Sequence, residues 1–225
     1  MVGVGVNDVP IVGEPVAYGT GFIALLLVLL SPVLARYPLT LAHEGGHMLA
    51  NLATLRGNKY WELKDNADGE TEALDSGIWL SRLVVAFVGY ATPPLLGLAA
   101  AALIAVGNPW AVLLASVVLC VLAVALSRRG LAFLVPALIV LGLGWVLIEG
   151  STSLQAAFAV GIAWLLLFGG LLRSVRVLGG SGDSVALAKM TLIPNIVWSV
   201  VWLFIAVVAL IVGGQLLLRP GYTVG

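Results

Sequence analysis

The chain has 225 residues, of which 61% are hydrophobic and 10% are charged, and its formal net charge is zero. Soluble domains carry about 25% charged residues, so this composition, with a mean hydropathy of +1.11, excludes an ordinary water-soluble globule and intrinsic disorder. The neutral balance argues against a nucleic-acid partner. A single cysteine, Cys120, excludes an intrachain disulfide.

Long apolar segments dominate the chain. A membrane-spanning helix needs roughly 20 mainly apolar residues. Seven segments qualify: 18–36, 38–56, 79–106, 109–126, 131–148, 153–172 and 177–216. The last is too long for one straight crossing, so we expect a kink at Pro194 or a re-entrant piece before a helix from about 195. The predicted fold is an all-α polytopic membrane protein that forms a single membrane domain over 1–225.

The basic residues predict the orientation in the membrane. With seven crossings, nine basic residues fall on one side and only Arg36 and Arg219 on the other. The nine are Arg56, Lys59, Lys64, Arg82, Arg128, Arg129, Arg173, Arg176 and Lys189. Because cytoplasmic loops are enriched in Lys and Arg, we expect a multi-pass cell-membrane protein with a cytoplasmic N-terminus and a cytoplasmic 57–78 loop. Residues 1–17 contain no Lys or Arg, unlike a signal peptide, so the first span is expected to be retained.

The segment 57–78 is the one sizeable polar stretch, and it holds six of the eleven acidic residues. Short extended runs around 59–64 and 70–74 flank an Asn-Ala-Asp-Gly sequence at 66–69, which predicts a small β-hairpin. A solvated loop with incidental strand character is the alternative.

The second span contains the two histidines of the chain, His43 and His47. Their spacing of four places both imidazoles on one face of a helix, where they can reach one tetrahedral metal ion. Glu44 follows the first histidine and can deprotonate a water at such a metal. The alternative is a pair of buried histidines that bind backbone carbonyls. Gly45 and Gly46 suggest that another helix or a substrate backbone approaches closely.

A catalytic zinc site needs a third protein ligand, and no histidine remains to supply it. Glu149 and Asp183 are the candidates within the apolar part of the chain. At 1.5 Å per residue, His47 lies about 13 Å and Asp183 about 10 Å from the cytoplasmic end of their segments. Glu149 lies near the opposite face, so Asp183 is preferred. Its alternative role is the N-cap of a helix over 184–193.

Two consecutive prolines, Pro93 and Pro94, follow Tyr90 in the third span. Because proline cannot donate a backbone hydrogen bond, a broken helix that lines the site is one interpretation, with Tyr90 near the metal or substrate. A plain kink that only shapes packing is the other.

Together these residues resemble a known family. A membrane helix with His43-Glu44-Gly45-Gly46-His47, followed by a hairpin, is similar to the site-2-protease class of intramembrane zinc metalloproteases, most closely to bacterial M50B-like membrane peptidases. The likeness includes a Gly-Tyr-x-x-Pro segment at 89–93 and a stretch from Asp183 to Pro194 and Trp198, and it covers about 36–100 and 179–200. The resemblance implies that His43, His47 and Asp183 bind zinc and that Glu44 is the catalytic acid and base.

Tyr90, Pro93 and Asn195 are further candidates for residues that line the substrate site. The expected function is cleavage of a membrane-embedded protein substrate in the lipid bilayer, with Zn²⁺ as cofactor. A catalytically silent metal-binding scaffold or regulator is one alternative. An ion- or proton-coupled transporter is another, although no repeated halves support it. The oligomeric state stays open.

Overall fold

The computed structural model describes residues 13–64, 66, 68–127, 130–180 and 182–218. Within these residues the chain forms eight α-helices and one antiparallel pair of strands. The elements are α1 Glu14–Leu30, α2 Pro32–Ala53, β1 Asn58–Leu63, β2 Gly69–Ala73, α3 Trp79–Ala105, α4 Pro109–Leu126, α5 Leu131–Glu149, α6 Thr152–Arg176, a 3-10 turn Val177–Gly179, α7 Gly182–Thr191 and α8 Asn195–Leu217. The charges predicted to orient the chain at Arg128, Arg129 and Arg219 lie outside the described residues.

The all-α membrane fold is confirmed, but seven crossings are not. Among the described residues, five helices are long and apolar enough to span a membrane: α3, α4, α5, α6 and α8. A sixth span results if α1 and α2, which are bent by 96° relative to each other, count as one. The break between them falls at Ser31 instead of near residue 37, since Pro32 begins α2 and Pro38 lies inside it. Proline favours the first helical position, so Pro32 rather than Pro38 determines where this helix begins.

The long last segment is divided, as predicted. The short helix α7 ends at Thr191, and α8 begins at Asn195 directly after Pro194. Leu192 has a positive φ of 62°, which turns the chain between the two helices. The segment before α8 is therefore a separate ten-residue helix, too short to cross a membrane.

The central helix α3 packs against α2, α6 and α8, and α7 lies between α3 and α8. The predicted hairpin is present, and it rests on the end of α4. Trp61 of β1 is fully buried, and its Nε1 donates to the Ala123 carbonyl at 2.6 Å. Trp61 also forms a parallel bridge with Ser127 in the turn after α4. The hairpin therefore lies at the same end of the bundle as the α4–α5 turn.

Polar contacts tie the hairpin to the end of α2. Asn51 Nδ2 donates to Asn58 Oδ1 at 3.0 Å, and Asn58 Nδ2 donates to the Met48 carbonyl at 2.9 Å. After β2, Arg56 Nε donates to the Asp75 carbonyl. The Gly77 backbone N–H donates to the Asp75 carboxylate and holds the pKa of this exposed side chain below its usual range. The start of the hairpin is thus fixed to α2, which carries the two histidines, and its end is fixed to Arg56 in the turn that follows α2.

Candidate active site

The two histidines face each other across one turn of α2. His43 and His47 are both buried, and their Nε2 atoms lie 3.2 Å apart. His47 Nδ1 lies 2.8 Å from the Val85 carbonyl on α3. Because a carbonyl only accepts, Nδ1 carries the proton and a neutral His47 directs the Nε2 lone pair toward His43. This orientation is the one a metal-ligating imidazole adopts.

Asp183 joins the pair from the first turn of α7. Its Oδ2 lies 3.2 Å from His43 Nε2 and 3.3 Å from His47 Nε2. This oxygen is buried, yet it makes no hydrogen bond of acceptable geometry with any described residue. The structure therefore brings together the three side chains that the sequence proposed as ligands.

The three atoms fit the demands of a tetrahedral metal. Zinc-to-ligand distances of about 2.0–2.1 Å at tetrahedral angles separate neighbouring ligand atoms by about 3.3 Å. The observed separations of 3.2, 3.2 and 3.3 Å match that edge length. Two imidazole nitrogens and one carboxylate oxygen are also a donor set that zinc accepts with a fourth position left open. Other divalent ions share a preference for these donors.

Glu44 lies beside this triangle and is held by the hairpin. Its Oε1 is 4.0 Å from His43 Nε2, and its Oε2 accepts a hydrogen bond from Thr71 Oγ1 at 2.7 Å. One possible ligand atom each from His43, Glu44 and His47 also lies within 4.8 Å of the other two, so the glutamate is close enough to share a metal with the histidine pair. At Gly69 of β2, a Cβ atom would lie 2.5 Å from Glu44 Cγ, so the missing side chain lets the strand approach the carboxylate.

Helix α3 closes the site from the other side. The ring of Tyr90 packs edge-on against His43 at 4.6 Å between centroids, and it also contacts Trp202 at 4.7 Å with the two ring planes tilted by 30°. A Cβ atom at Gly89 would lie 2.5 Å from His47 Cε1, so only glycine allows this approach. The helix runs without a break through Pro93, contrary to the broken-helix interpretation. Neighbouring helices can compensate carbonyls that proline releases, so membrane helices tolerate it.

An open cleft of about 740 Å³ leads from the hairpin to the cluster. Its floor contains His43, Glu44, His47, Tyr90, Arg173 and Asp183, and its mouth contains Lys64, Asp68, Glu70 and Arg82. The mouth side chains are exposed, whereas those of the floor are buried or half-buried. The strand β2 borders the cleft through 69–71, whereas β1 uses its outer edge for the bridge to Ser127.

Two further candidates do not line this cleft. Pro93 is fully buried within the bundle, and Asn195 begins α8, where its Nδ2 lies against the Gly180 backbone. Neither is among the described residues that border the cleft. Glu149, the rejected alternative ligand, is exposed at the C-terminal end of α5. Their positions limit the candidate site to residues of α2, β2, α3, α6 and α7.

Two side chains at the site were missed by the sequence reasoning. Thr71 binds Glu44, and Arg173 Nη1 donates to Thr40 Oγ1 at 2.8 Å. Nothing in the sequence marks Thr71 as a site residue beyond its place in a predicted strand. Arg173 carried a signal, because a cation inside a helix that is long and apolar enough to span a membrane is a functional candidate.

The fold and this cluster define a helical multi-pass membrane protein with a grouped His-Glu-His set able to hold a metal. The model of the Peptidase M50B-like family matches residues 18–213. The chain therefore belongs to the M50B-like peptidase family, which confirms the resemblance drawn from the motifs. No curated protein and no solved structure was found to match it.

Proposed function

We propose that this protein is an intramembrane zinc metalloprotease that hydrolyses a peptide bond of a membrane-embedded protein substrate. The observation that carries the proposal is the triangle of His43 Nε2, His47 Nε2 and Asp183 Oδ2, with edges of 3.2–3.3 Å. Membership of a peptidase family and the neighbouring carboxylate of Glu44 support the same reaction.

His43, His47 and Asp183 would hold the metal. The chemistry that zinc supplies when bound is Lewis acidity, which activates water and polarises a peptide carbonyl. The hydrogen bond from His47 to the Val85 carbonyl fixes the ring in the tautomer that offers Nε2. The edge-on contact with Tyr90 restrains the His43 ring. These contacts keep the ligand atoms oriented without rearrangement during the reaction.

Glu44 is the proposed general base and acid. Thr71 anchors one of its oxygens, so the other, Oε1, is directed toward the cluster. Oε1 takes a proton from the attacking water as the new C–O bond forms, and it passes that proton to the amide nitrogen as the C–N bond breaks. The products are a carboxylate and an amine. General acid–base catalysis of this kind contributes typically 10²–10⁴-fold to the rate.

The substrate segment must be unwound, because a helix uses its own carbonyls in hydrogen bonds. The edge of β2 is suited to holding such an extended segment by strand addition. It borders the cleft through 69–71 and passes directly over Glu44, whereas the outer edge of β1 is bridged to Ser127. Strand addition at β2 would place the scissile carbonyl near the cluster.

We assign the open end of the cleft to the cytoplasm. The exposed cations Lys64 and Arg82 lie at its mouth, and the positive-inside rule favours the cytoplasm for such residues. In this orientation the protein is a multi-pass cell-membrane protease whose hairpin faces the cytoplasm. Water then reaches the cluster through the cleft and does not have to cross the hydrocarbon core.

The decisive experiment compares the purified protein with Glu44→Gln and Glu149→Gln variants in proteoliposomes that contain a fluorogenic membrane-spanning substrate. We expect Glu44→Gln to retain wild-type zinc content and to lose cleavage by about 100-fold or more. Glu149→Gln, which changes an exposed carboxylate on α5, is the matched control and should cleave normally.

Cleavage by Glu44→Gln at the wild-type rate would refute the mechanism. A wild-type protein that binds zinc, unfolds on chelation and never cleaves a substrate would instead be a metal-binding scaffold. Zinc-independent ion flux that depends on Asp183 would favour the transporter.

A further inference from the structure

A cationic side chain reaches the floor of the cleft from α6. Arg173 Nη1 donates to Thr40 Oγ1 at 2.8 Å. Thr40 is buried on α2, three residues before His43 and four before Glu44, so all three share one helix face. Thr40 therefore holds the guanidinium beside the face of α2 that carries His43 and Glu44.

With a metal ion bound, the floor of the cleft would carry a net positive charge, which attracts an anionic group. Lys64, Asp68, Glu70 and Arg82 at the mouth are exposed, and the half-buried Arg56 binds the Asp75 carbonyl beyond β2. Glu44, Asp183 and Arg173 are the other charged side chains that line the cleft among the described residues. With a divalent cation held by the two histidines and Asp183, these groups carry one positive charge in excess. A cation at membrane depth is expensive, so an excess there favours a substrate group that carries or develops negative charge.

We infer that Arg173 is a catalytic residue that donates hydrogen bonds to the scissile carbonyl oxygen as that oxygen becomes negatively charged. This inference rests on the proposed function. The bond to Thr40 uses one of five N–H donors of the guanidinium, which leaves others for the substrate. Such a bond is stronger to the developing oxyanion than to the neutral carbonyl, so it raises kcat more than it lowers KM. Thr40 is then a positioning residue.

The first test is kinetic and uses variants of the full chain in proteoliposomes. We expect Arg173→Gln to lower kcat by about 100-fold or more, as loss of an oxyanion donor does elsewhere. KM should change by less than about threefold, and zinc content should stay at the wild-type level. Arg176→Gln is the matched control, because it removes the same charge from an exposed position one turn further along α6. It should leave kcat unchanged.

The second test does not depend on turnover. A phosphinic peptide imitates the anionic tetrahedral centre, and its neutral amide counterpart does not. Quenching of tryptophan fluorescence in the zinc-loaded protein measures the binding of both. Arg173→Gln should weaken phosphinate binding by about 100-fold and amide binding by less than about threefold. Arg173→Met removes the charge but keeps a long unbranched side chain, and it tests the same difference if the glutamine variant does not fold.

Equal weakening of both ligands, or zinc loss in proportion to kcat, would overturn the role of Arg173. Unchanged phosphinate binding in either variant would overturn it too. If the wild-type protein cleaves nothing, the proposed function fails, while the phosphinate comparison still decides whether Arg173 contacts the anion.

Discussion

Gly89 lies on the face of α3 that meets the two histidine rings, so an added methyl group at this position tests whether ring placement controls metal binding. A Cβ atom there would be 2.5 Å from Cε1 and Nε2 of His47 and 2.8 Å from Cε1 of His43. Ordinary contact begins near 3.4 Å. Moving from 2.5 to 3.4 Å displaces the His47 ring by about 0.9 Å, whereas metal–ligand distances tolerate about 0.2 Å. The Gly89→Ala variant should therefore lose the ligand geometry.

We expect Gly89→Ala to lower zinc affinity by about 10- to 100-fold. This is the range seen when the groups that orient metal ligands are altered. Competition with a fluorescent chelator on the purified protein in detergent measures the affinity, and thermal unfolding reports whether the fold persists. Gly45→Ala is the control, because a Cβ there meets nothing within 4 Å and faces an apolar cavity. Although Gly45 lies within the motif itself, its alanine variant should bind zinc normally. A Gly89→Ala protein with wild-type affinity would refute the reasoning.

Three other predictions concern the hairpin and the proposed third ligand, Asp183. Thr71→Val removes the hydrogen bond to the Glu44 carboxylate, which is worth about 1.5–3 kcal/mol, and should slow substrate cleavage by about 10- to 100-fold. Thr71→Ser keeps the hydroxyl and should cleave at the wild-type rate. Wild-type cleavage by the valine variant would contradict the proposed anchoring of Glu44. Asp183→Asn should abolish stoichiometric zinc in metal analysis, whereas retained zinc would exclude Asp183 as a ligand. Trp61→Phe removes the hydrogen bond to the buried Ala123 carbonyl and should destabilise the fold by about 1–3 kcal/mol. Thermal unfolding measures this loss against the control Trp145→Phe, which changes an exposed side chain. Equal stability of the two variants would contradict the prediction.

The sequence predicts most of the helices because apolar length is a strong signal for membrane helices. It is less informative where two residues compete for the same structural effect. Pro32 and Pro38 can each interrupt a helix, and the sequence alone does not reveal that Pro32 takes the start of α2 while Pro38 is accommodated inside it. At Pro93 the sequence suggests a break, yet α3 continues because the surrounding helices support it.

The residues of the candidate site also differ in how well the sequence predicts them. His43, Glu44 and His47 are predictable because their spacing is local and places them on one helix face. The nearness of Asp183 to the histidines is predictable less directly, from its estimated depth in the membrane and from the family resemblance, because it lies far away in the sequence. The contacts of Thr71 with Glu44 and of Arg173 with Thr40 join distant parts of the chain. Such pairs depend on tertiary packing, which leaves no periodic signal in one sequence.

The position of Asp183 on the short helix α7 has a consequence for the order of synthesis. The histidine pair on α2 precedes Asp183 on α7 in the chain, so the ribosome makes the two histidines first. A nascent chain then holds both imidazoles and Glu44 in the membrane without the proposed third ligand. We expect chains arrested before α7 to lack stoichiometric zinc, and metal analysis of such arrested chains measures this. If the proposed function holds, hydrolytic competence would thus arise only after α7 has been synthesised.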